Sequence, residues 1–249
     1  MSNISKKISA LVDKYHSRKL KDKYKYLIFD GVYIKAKSLQ KSRSNGITLD
    51  DKKELIDFGL ASHGESENAW TKFIGKLYHR GLTGKNLRLV VIDGNKGLKN
   101  ALEFIYPFAE IQRCWVHKMR NAGKKLPKKY HDECMSNARQ IYYSKTRQQA
   151  LQKFKAWARK WRELVSKAVK CIEDDYENLT SFLREPEEYH VKIRTTNAIE
   201  RLFREVRRRT RTMNCFENRA SVERIIFSVF NRFNAKWENG AHLEITQLT

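Results

Sequence analysis

The sequence predicts an α/β fold with its strands in the first half and helices throughout the second, on three observations. Short aromatic and β-branched runs stand before residue 118. Beyond it, apolar residues recur every three or four positions. The only three prolines, Pro107, Pro127 and Pro186, fall at seams between these runs, where a residue that interrupts or starts helices belongs.

Residues 1–23 carry Lys6, Lys7, Lys14, Arg18, Lys19, Lys21 and Lys23 against Asp13 and Asp22, with one short apolar stretch at 8–12. This reads as a basic lead-in, at most one loose helix. Residues 24–35, YKYLIFDGVYIK, form the first strand, ending near Lys37. Between Lys37 and Lys53 the segment SLQKSRSNGITLDDK offers only Ile47 and Leu49 to a strand, so residues 39–45 are expected to loop and the second strand to be shortened. Residues 53–60, KELIDFGL, make another strand. Ser66 then caps a helix reaching Tyr78, with Ala69, Trp70, Phe73, Ile74 and Leu77 on one face. The run LRLVVI at 87–92 has the continuous apolar character of a strand buried on both faces. Asp93-Gly94 leads from it into a helix through Leu98, Leu102 and Ile105, and residues 110–115 form a last short strand.

From Lys118 to Leu183 there is no strand-like run. Leu151, Phe154, Trp157, Ala158, Trp161, Leu164, Val165, Ala168, Val169 and Ile172 predict one long amphipathic helix. Trp157 and Trp161 share that stripe and are read as core rather than as base-stacking residues. After Pro186, Thr196 or Asn197 caps a helix bearing Ile199, Leu202, Phe203 and Val206, and a final helix carries Val222, Ile225, Ile226, Val229, Phe230, Phe233 and Trp237. No internal repeat and no low-complexity tract is present.

The 249 residues are 41% hydrophobic and 11% aromatic, enough for a core and too much for a wholly disordered chain. No run of eighteen apolar residues occurs, and the polar start MSNISKKISA holds no signal-peptide core, which predicts a cytoplasmic, nucleoid-associated protein away from membranes. Lys+Arg 51 against Asp+Glu 28 gives a net charge of +23, so a polyanion is the expected partner. Cys114, Cys134, Cys171 and Cys215 include no C-x2-C pair, as suits a reducing compartment.

Two aspartates stand where an α/β sheet collects ligands: Asp30 within the first strand and Asp93 at the end of the LRLVVI run. Their carboxylates suit a hard cation. Asp-Gly is equally a common turn pair, which would explain each aspartate without a site. Glu200 lies on a predicted helix beside its apolar face. Its alternatives are a capping box with Asn197 and an i,i+4 ion pair with Arg204. Arg201, Arg204, Arg207, Arg208, Arg209 and Arg211 crowd the same helix with little compensating acid, which points to phosphate binding. Cys114-Trp-Val-His117 is followed, thirteen residues on, by His131-Asp-Glu-Cys134. These are zinc-ligand types at an unfamiliar spacing, and a zinc site is not expected.

The blocks DGVYIK, GESENAW, VVIDGNKGL, QRCWVHKMRN and RTTNAIERLFREVRRRTR, in this order, resemble the signature blocks of the Mutator-like transposases of bacterial and archaeal insertion sequences. The resemblance covers residues 24–237. It implies a ribonuclease-H-like mixed sheet with helices, interrupted by an all-helical insertion between the second aspartate and the glutamate. The implied division is a basic lead-in at 1–23, the first part of the catalytic core at 24–117, the insertion at 118–190, and C-terminal helices at 191–249 completing the core and carrying Glu200. By motif match it also implies a DDE triad of Asp30, Asp93 and Glu200, with Cys114 and His117 as a supporting C-x2-H element. Such a triad holds Mg²⁺, with Mn²⁺ able to substitute. In the scheme the resemblance implies, Asp30 would bridge two ions, Asp93 would hold one and Glu200 the other, for in-line attack on phosphorus by water and then by a DNA 3′ hydroxyl. The implied partners are double-stranded DNA, as transposon ends and as target, and further copies of the chain that bring the two ends together.

Two departures temper the activity expected. Family members carry a sizeable region with helix-turn-helix-type domains before the first catalytic strand, whereas the first aspartate here is residue 30. A shortened second strand would also leave ladder groups unpaired beside Asp30. A truncated copy, or a catalytically silent DNA-binding remnant, is therefore the alternative to an active enzyme. A basic RNA-binding helical protein has no recognition motif to support it.

Overall fold

A computed structural model of the chain describes residues 3–33, 40–48, 52–61, 66–210 and 219–238. Strands β1 (Tyr24–Tyr33), β2 (Gln40–Thr48), β3 (Lys53–Ala61), β4 (Leu89–Ile92) and β5 (Glu110–Arg113) form one sheet in the order β3-β2-β1-β4-β5. The first three make an antiparallel meander. β4 then joins β1 in parallel, and β5 joins β4 in parallel. Helices α2 (Glu67–His79) and α3 (Lys96–Ile105) make the crossovers to β4 and β5.

Along β1 the side chains alternate between two cores, as the pleat requires. Leu27 and Phe29 join Ile56, Val90 and Ile92 under α2 and α3, packed on Trp70, Ile74 and Leu102. Tyr26 and Ile28 join Leu55, Phe58, Leu89 and Val91 on the opposite face. That face is covered by α4 (Trp115–Gly123), α5 (Lys128–Tyr142), α6 (Arg147–Glu173), α7 (Tyr176–Thr180), α8 (Glu187–Ile193), α9 (Asn197–Thr210) and α10 (Arg219–Glu238). Asp30 has the parity of Tyr26 and Ile28 and so belongs to this helical face.

The second strand corrects the expectation from sequence. β2 pairs with β1 from Gln40 to Thr48 and with β3 from Gln40 to Ile47, with an irregularity in each ladder, between Tyr24 and Tyr26 in the first and between Ser44 and Asn45 in the second. Apolar patterning reports side-chain burial, but a ladder is made of backbone groups. A polar segment between two strands is recruited by their unpaired N–H and C=O groups. The first strand's expected continuation to Lys37 and the strand-like Leu49 lie outside the described residues.

Both sheet edges are partly covered by side chains. On β3, Asn234 of α10 accepts from the Leu55 N–H at 2.8 Å and donates to its carbonyl at 3.1 Å, as a neighbouring strand would. Helix α1 (Asn3–Ser17) lies along the same edge, where the Tyr15 hydroxyl donates to the Leu55 carbonyl and Arg18 Nη2 donates to the Ile56 carbonyl at 2.7 Å. The basic lead-in is thus docked through buried Val12 and packs on α10. On β5, Ser181 Oγ donates to the Ile111 carbonyl at 3.0 Å, and Gln112 accepts from Phe182 N at 2.8 Å. Edges satisfied by side chains do not invite strand addition.

α6 is the predicted long helix, with Phe154, Trp157 and Trp161 in the core. It bends at Val165, whose φ of −146° and ψ of 51° are not helical, although no proline or glycine stands in it. Leu151 and Leu164, expected on the apolar stripe, are exposed, so the buried stripe is narrower than the spacing suggested. Among the described residues no helix is long and apolar enough to cross a membrane.

Candidate active site

β1 and β4 run parallel with Tyr26 opposite Leu89, Leu27 opposite Val90 and Ile28 opposite Val91. The paired register ends at Ile28 and Val91; carried two residues further it sets Asp30, inside β1, level with Asp93, just past the carboxyl end of β4, on the side of an open α/β sheet where ligands collect. Asp30 is 2% exposed, an unusual depth for a carboxylate. Asp93 is half-buried in the segment DGNKG, each part of which has a local cause. Asp93 Oδ1 accepts from Asn95 N at 3.0 Å, so the turn role foreseen for Asp-Gly is also present. Gly94 has φ of 103°, and a Cβ there would overlap the Arg113 guanidinium. Asn95 caps α3 by accepting from Leu98 N at 2.9 Å. A Cβ on Gly97 would stand 2.7 Å from Glu67 N, so only glycine lets the first turns of α3 and α2 meet.

The end of β5 brings in the C-x2-H element. Cys114 N donates to the Ile92 carbonyl at 2.7 Å, which holds the start of α4 beside the residue that precedes Asp93. Trp115 N donates to the Arg194 carbonyl at 3.2 Å, and Thr196 N and Oγ1 lie 3.3 and 3.4 Å from the fully buried Cys114 Sγ. Thr196 therefore joins two segments some eighty residues apart in the chain. Its own carbonyl accepts from the N–H groups of Ile199 and Glu200, opening α9.

His117, one turn into α4, meets Glu200 in the first turn of α9, with Nε2 3.3 Å from Oε1. Its Nδ1 lies 3.5 Å from Thr196 Oγ1. The imidazole is raised to about 9, first by its hydrogen bond with Cys114; burial opposes this, and the charges of Cys114, Glu200 and Asp30 add to it. At neutral pH it is thus a cation among carboxylates. Burial pushes the Cys114 thiol up, but the hydrogen bonds from His117 and Thr196 outweigh it and leave the thiol below its usual range. The glutamate takes neither partner foreseen from sequence, since its ion pair is with His117 and its N–H bonds to Thr196.

By donor type the three carboxylates suit Mg²⁺ or Mn²⁺, being oxygen ligands only. Among the described residues no group of three or more His, Cys, Asp and Glu side chains stands close enough to hold a metal ion, and Glu200 is turned onto His117. The fit is thus one of chemistry and of strand register. The second pair lies elsewhere: Cys134 is buried in the helical core beneath Trp157, and the half-exposed His131 lies 3.0 Å from Asp132.

The arginines of α9 are less bare than their sequence suggests. Glu205 pairs with Arg208 and Arg209 at 3.0 Å each, and burial of that acid opposes a net lowering caused first by its hydrogen bond with Arg208. Arg204 and Arg207 are exposed. Arg211 and the side chain of Arg201 lie outside the described residues. Sequence reasoning missed Thr196, named only as a helix cap, and the pair Arg113–Asp175 at 3.3 Å that braces the guanidinium over Gly94. The Thr-Thr-Asn run marked a helix start but not its partner, because Cys114 is distant in sequence.

Residues 1–240 match the family described as Transposase, Mutator family. The chain is 31% identical over 243 residues to the transposase for insertion sequence element ISRM5 of Rhizobium meliloti (strain 1021), covering 95% of this chain and 60% of that protein. It is 29% identical over 247 residues to the transposase for IS905 of Lactococcus lactis subsp. lactis (strain IL1403), covering 97% and 62%. To the transposase for IS256 in transposon Tn4001 of Staphylococcus aureus it is 31% identical over 246 residues, covering 95% and 62%. The chain thus spans about three fifths of the length of these curated relatives. With the family match running over residues 1–240, the chain belongs to the Mutator family of transposases.

Proposed function

We propose that this chain is the catalytic region of a DDE transposase, cutting DNA and joining its 3′ end to a target, with Asp30, Asp93 and Glu200 as the catalytic carboxylates. The reading is supported by the parallel register of β1 and β4, which extended by two residues brings Asp30 level with Asp93, and by the ion pair of Glu200 with His117. The strand order, with an antiparallel meander followed by two parallel strands, supports a ribonuclease-H-like core. The helices between β5 and α9 then correspond to its insertion.

Asp30, Asp93 and Glu200 would hold Mg²⁺, or Mn²⁺ in its place, which would supply activation of the attacking oxygen and charge stabilisation on the leaving one. The chain's residues do the rest. Asp30 is held by a strand paired on both sides, Asp93 by the Asn95 turn, and Glu200 by His117 and Thr196. Arg204, exposed along the helix that begins at the site, receives a duplex phosphate. The attacking hydroxyl comes first from water and then from the DNA 3′ end, and the leaving group is the displaced DNA oxygen. Joining requires two element ends at once, so the working form is a homo-oligomer on nucleoid DNA. The silent-remnant alternative rested on a damaged sheet, and β2 paired with β1 and β3 removes that support.

The test is nicking of supercoiled plasmid by the purified chain in Mg²⁺. Asp30→Asn, Asp93→Asn and Glu200→Gln should each lower nicking at least a hundredfold while duplex binding persists, and chelation should abolish it. Wild-type protein that binds yet never nicks would favour the silent reading. Nicking that survives all three substitutions would remove the triad.

A further inference from the structure

Beside the C-x2-H element lies a cluster that the triad does not use. The Arg194 guanidinium sits 4.1 Å from the Tyr142 ring centroid and 5.4 Å from that of Tyr143, and the two rings are 4.8 Å apart. Tyr142 also meets Trp115 edge-on at 5.9 Å, and burial raises its hydroxyl against the charge and hydrogen bond of Arg194. Trp115 follows Cys114, and Arg194 precedes Thr195 and Thr196, so the cluster is built on the two segments that position Glu200.

Three features distinguish it from ordinary packing. Other arginines near the sheet end are neutralised: Arg113 by Asp175, Arg88 by Glu185 and Arg184 by Glu110. Arg194 has no carboxylate partner among the described residues, and its Nε is buried there without a hydrogen bond. Tyr143, by contrast, is 57% exposed, so one aromatic ring of the pair is presented to solvent while the other anchors the arginine.

We infer that Tyr143 and Arg194 form a nucleotide subsite that takes one base unstacked from the DNA beside the cleaved phosphate. A bare phosphate needs charge but no ring. In intact duplex the base faces are covered, so an exposed tyrosine beside an unneutralised guanidinium finds a planar partner only in a base that has left the stack. The arginine fork then has donors for the base edge or the adjoining phosphate. The subsite rests on the DNA-cleavage reading, and its test is separate from nicking.

The probes are two short duplexes that differ only in one 2-aminopurine, fully paired in the first and opposite an abasic site in the second. Wild-type chain should bind the second about tenfold more tightly and quench its fluorescence, a factor within the range of base–aromatic stacking. Tyr143→Ala should erase both the preference and the quenching, Tyr143→Trp should keep them, and Arg194→Lys should weaken them although charge is retained. Because Tyr143 is exposed, the alanine variant should retain its circular dichroism and its binding to the paired duplex. Equal binding of the two duplexes by wild type, or an undiminished preference in Tyr143→Ala, would overturn the subsite whether or not the chain nicks plasmid. A preference that depends on Tyr143 in a chain that never nicks would sustain the subsite and sink the cleavage reading.

Discussion

His117 Nε2 stands 3.3 Å from Glu200 Oε1, joining the first turns of α4 and α9 across the end of the sheet. Removing a side chain that orients a metal-binding carboxylate typically costs 10–100-fold in activity or metal affinity. His117→Ala should therefore lower plasmid nicking by about that factor. Duplex affinity should stay within about twofold, because the imidazole is engaged with Glu200 rather than with the exposed arginines proposed to meet phosphate. A variant that nicks at the wild-type rate would show that Glu200 is positioned without it.

Thr196→Val keeps the side-chain shape and the backbone carbonyl that opens α9 but removes the hydroxyl that reaches Cys114 Sγ and His117 Nδ1. The expected loss is about 1 kcal/mol, the ordinary worth of a buried hydrogen bond, read as a lower urea midpoint. Thr196→Ser should recover most of it. Equal midpoints for all three proteins would mean that the backbone contacts alone hold the two segments together.

Gly94→Ala meets two obstacles, a φ of 103° and the Arg113 guanidinium. The left-handed backbone costs roughly 1–2 kcal/mol, and overpacking adds about 1–3. Combining it with Arg113→Ala should relieve the packing part and leave the backbone part, so a double-mutant cycle is expected to be non-additive. Additive losses would place the whole cost in the backbone.

Asp57 is a buried carboxylate on β3 shared by Arg80 and by His16 of α1, with His16 Nδ1 at 2.6 Å. Asp57→Ala strands the Arg80 charge, and breaking one side of a buried pair costs about 3–5 kcal/mol. His16→Ala should cost less, since His16 is the more exposed partner. Denaturant unfolding of the two variants checks the order, and the reverse order would mean that α1 docks chiefly through His16.

Arg204 is exposed, whereas Arg208 is held by Glu205. Each phosphate contact contributes about 0.9 to the slope of log affinity against log salt. Arg204→Ala should reduce the duplex-binding slope by about that amount and Arg208→Ala by clearly less. Identical slopes for both variants and wild type would take α9 out of the DNA interface.

Strands β1, β3 and β4, the Ser66 cap, the Trp157–Trp161 stripe and the helix start beside Asn197 were legible in the sequence. Each reports a side chain's preference for burial or a local hydrogen bond, which neighbours in the chain suffice to reveal. Family membership was legible for a similar reason, since five ordered blocks carry it. β2 was not, because QKSRSNGIT owes its strand to β1 and β3 on either side.

The site divides along the same line. Sequence alone supplied the candidates for its chemistry: two aspartates in or after strands, the glutamate on a basic helix and the C-x2-H element. Only the tertiary structure decided that Glu200 meets His117 rather than Arg204, that Thr196 reaches Cys114, and that Glu205 occupies two of the expected phosphate-binding arginines. Periodicity and capping act over a few residues, whereas these partnerships join segments brought together by parallel strand pairing and the burial of one helical core. The energy that selects them exists only once the chain has closed on itself.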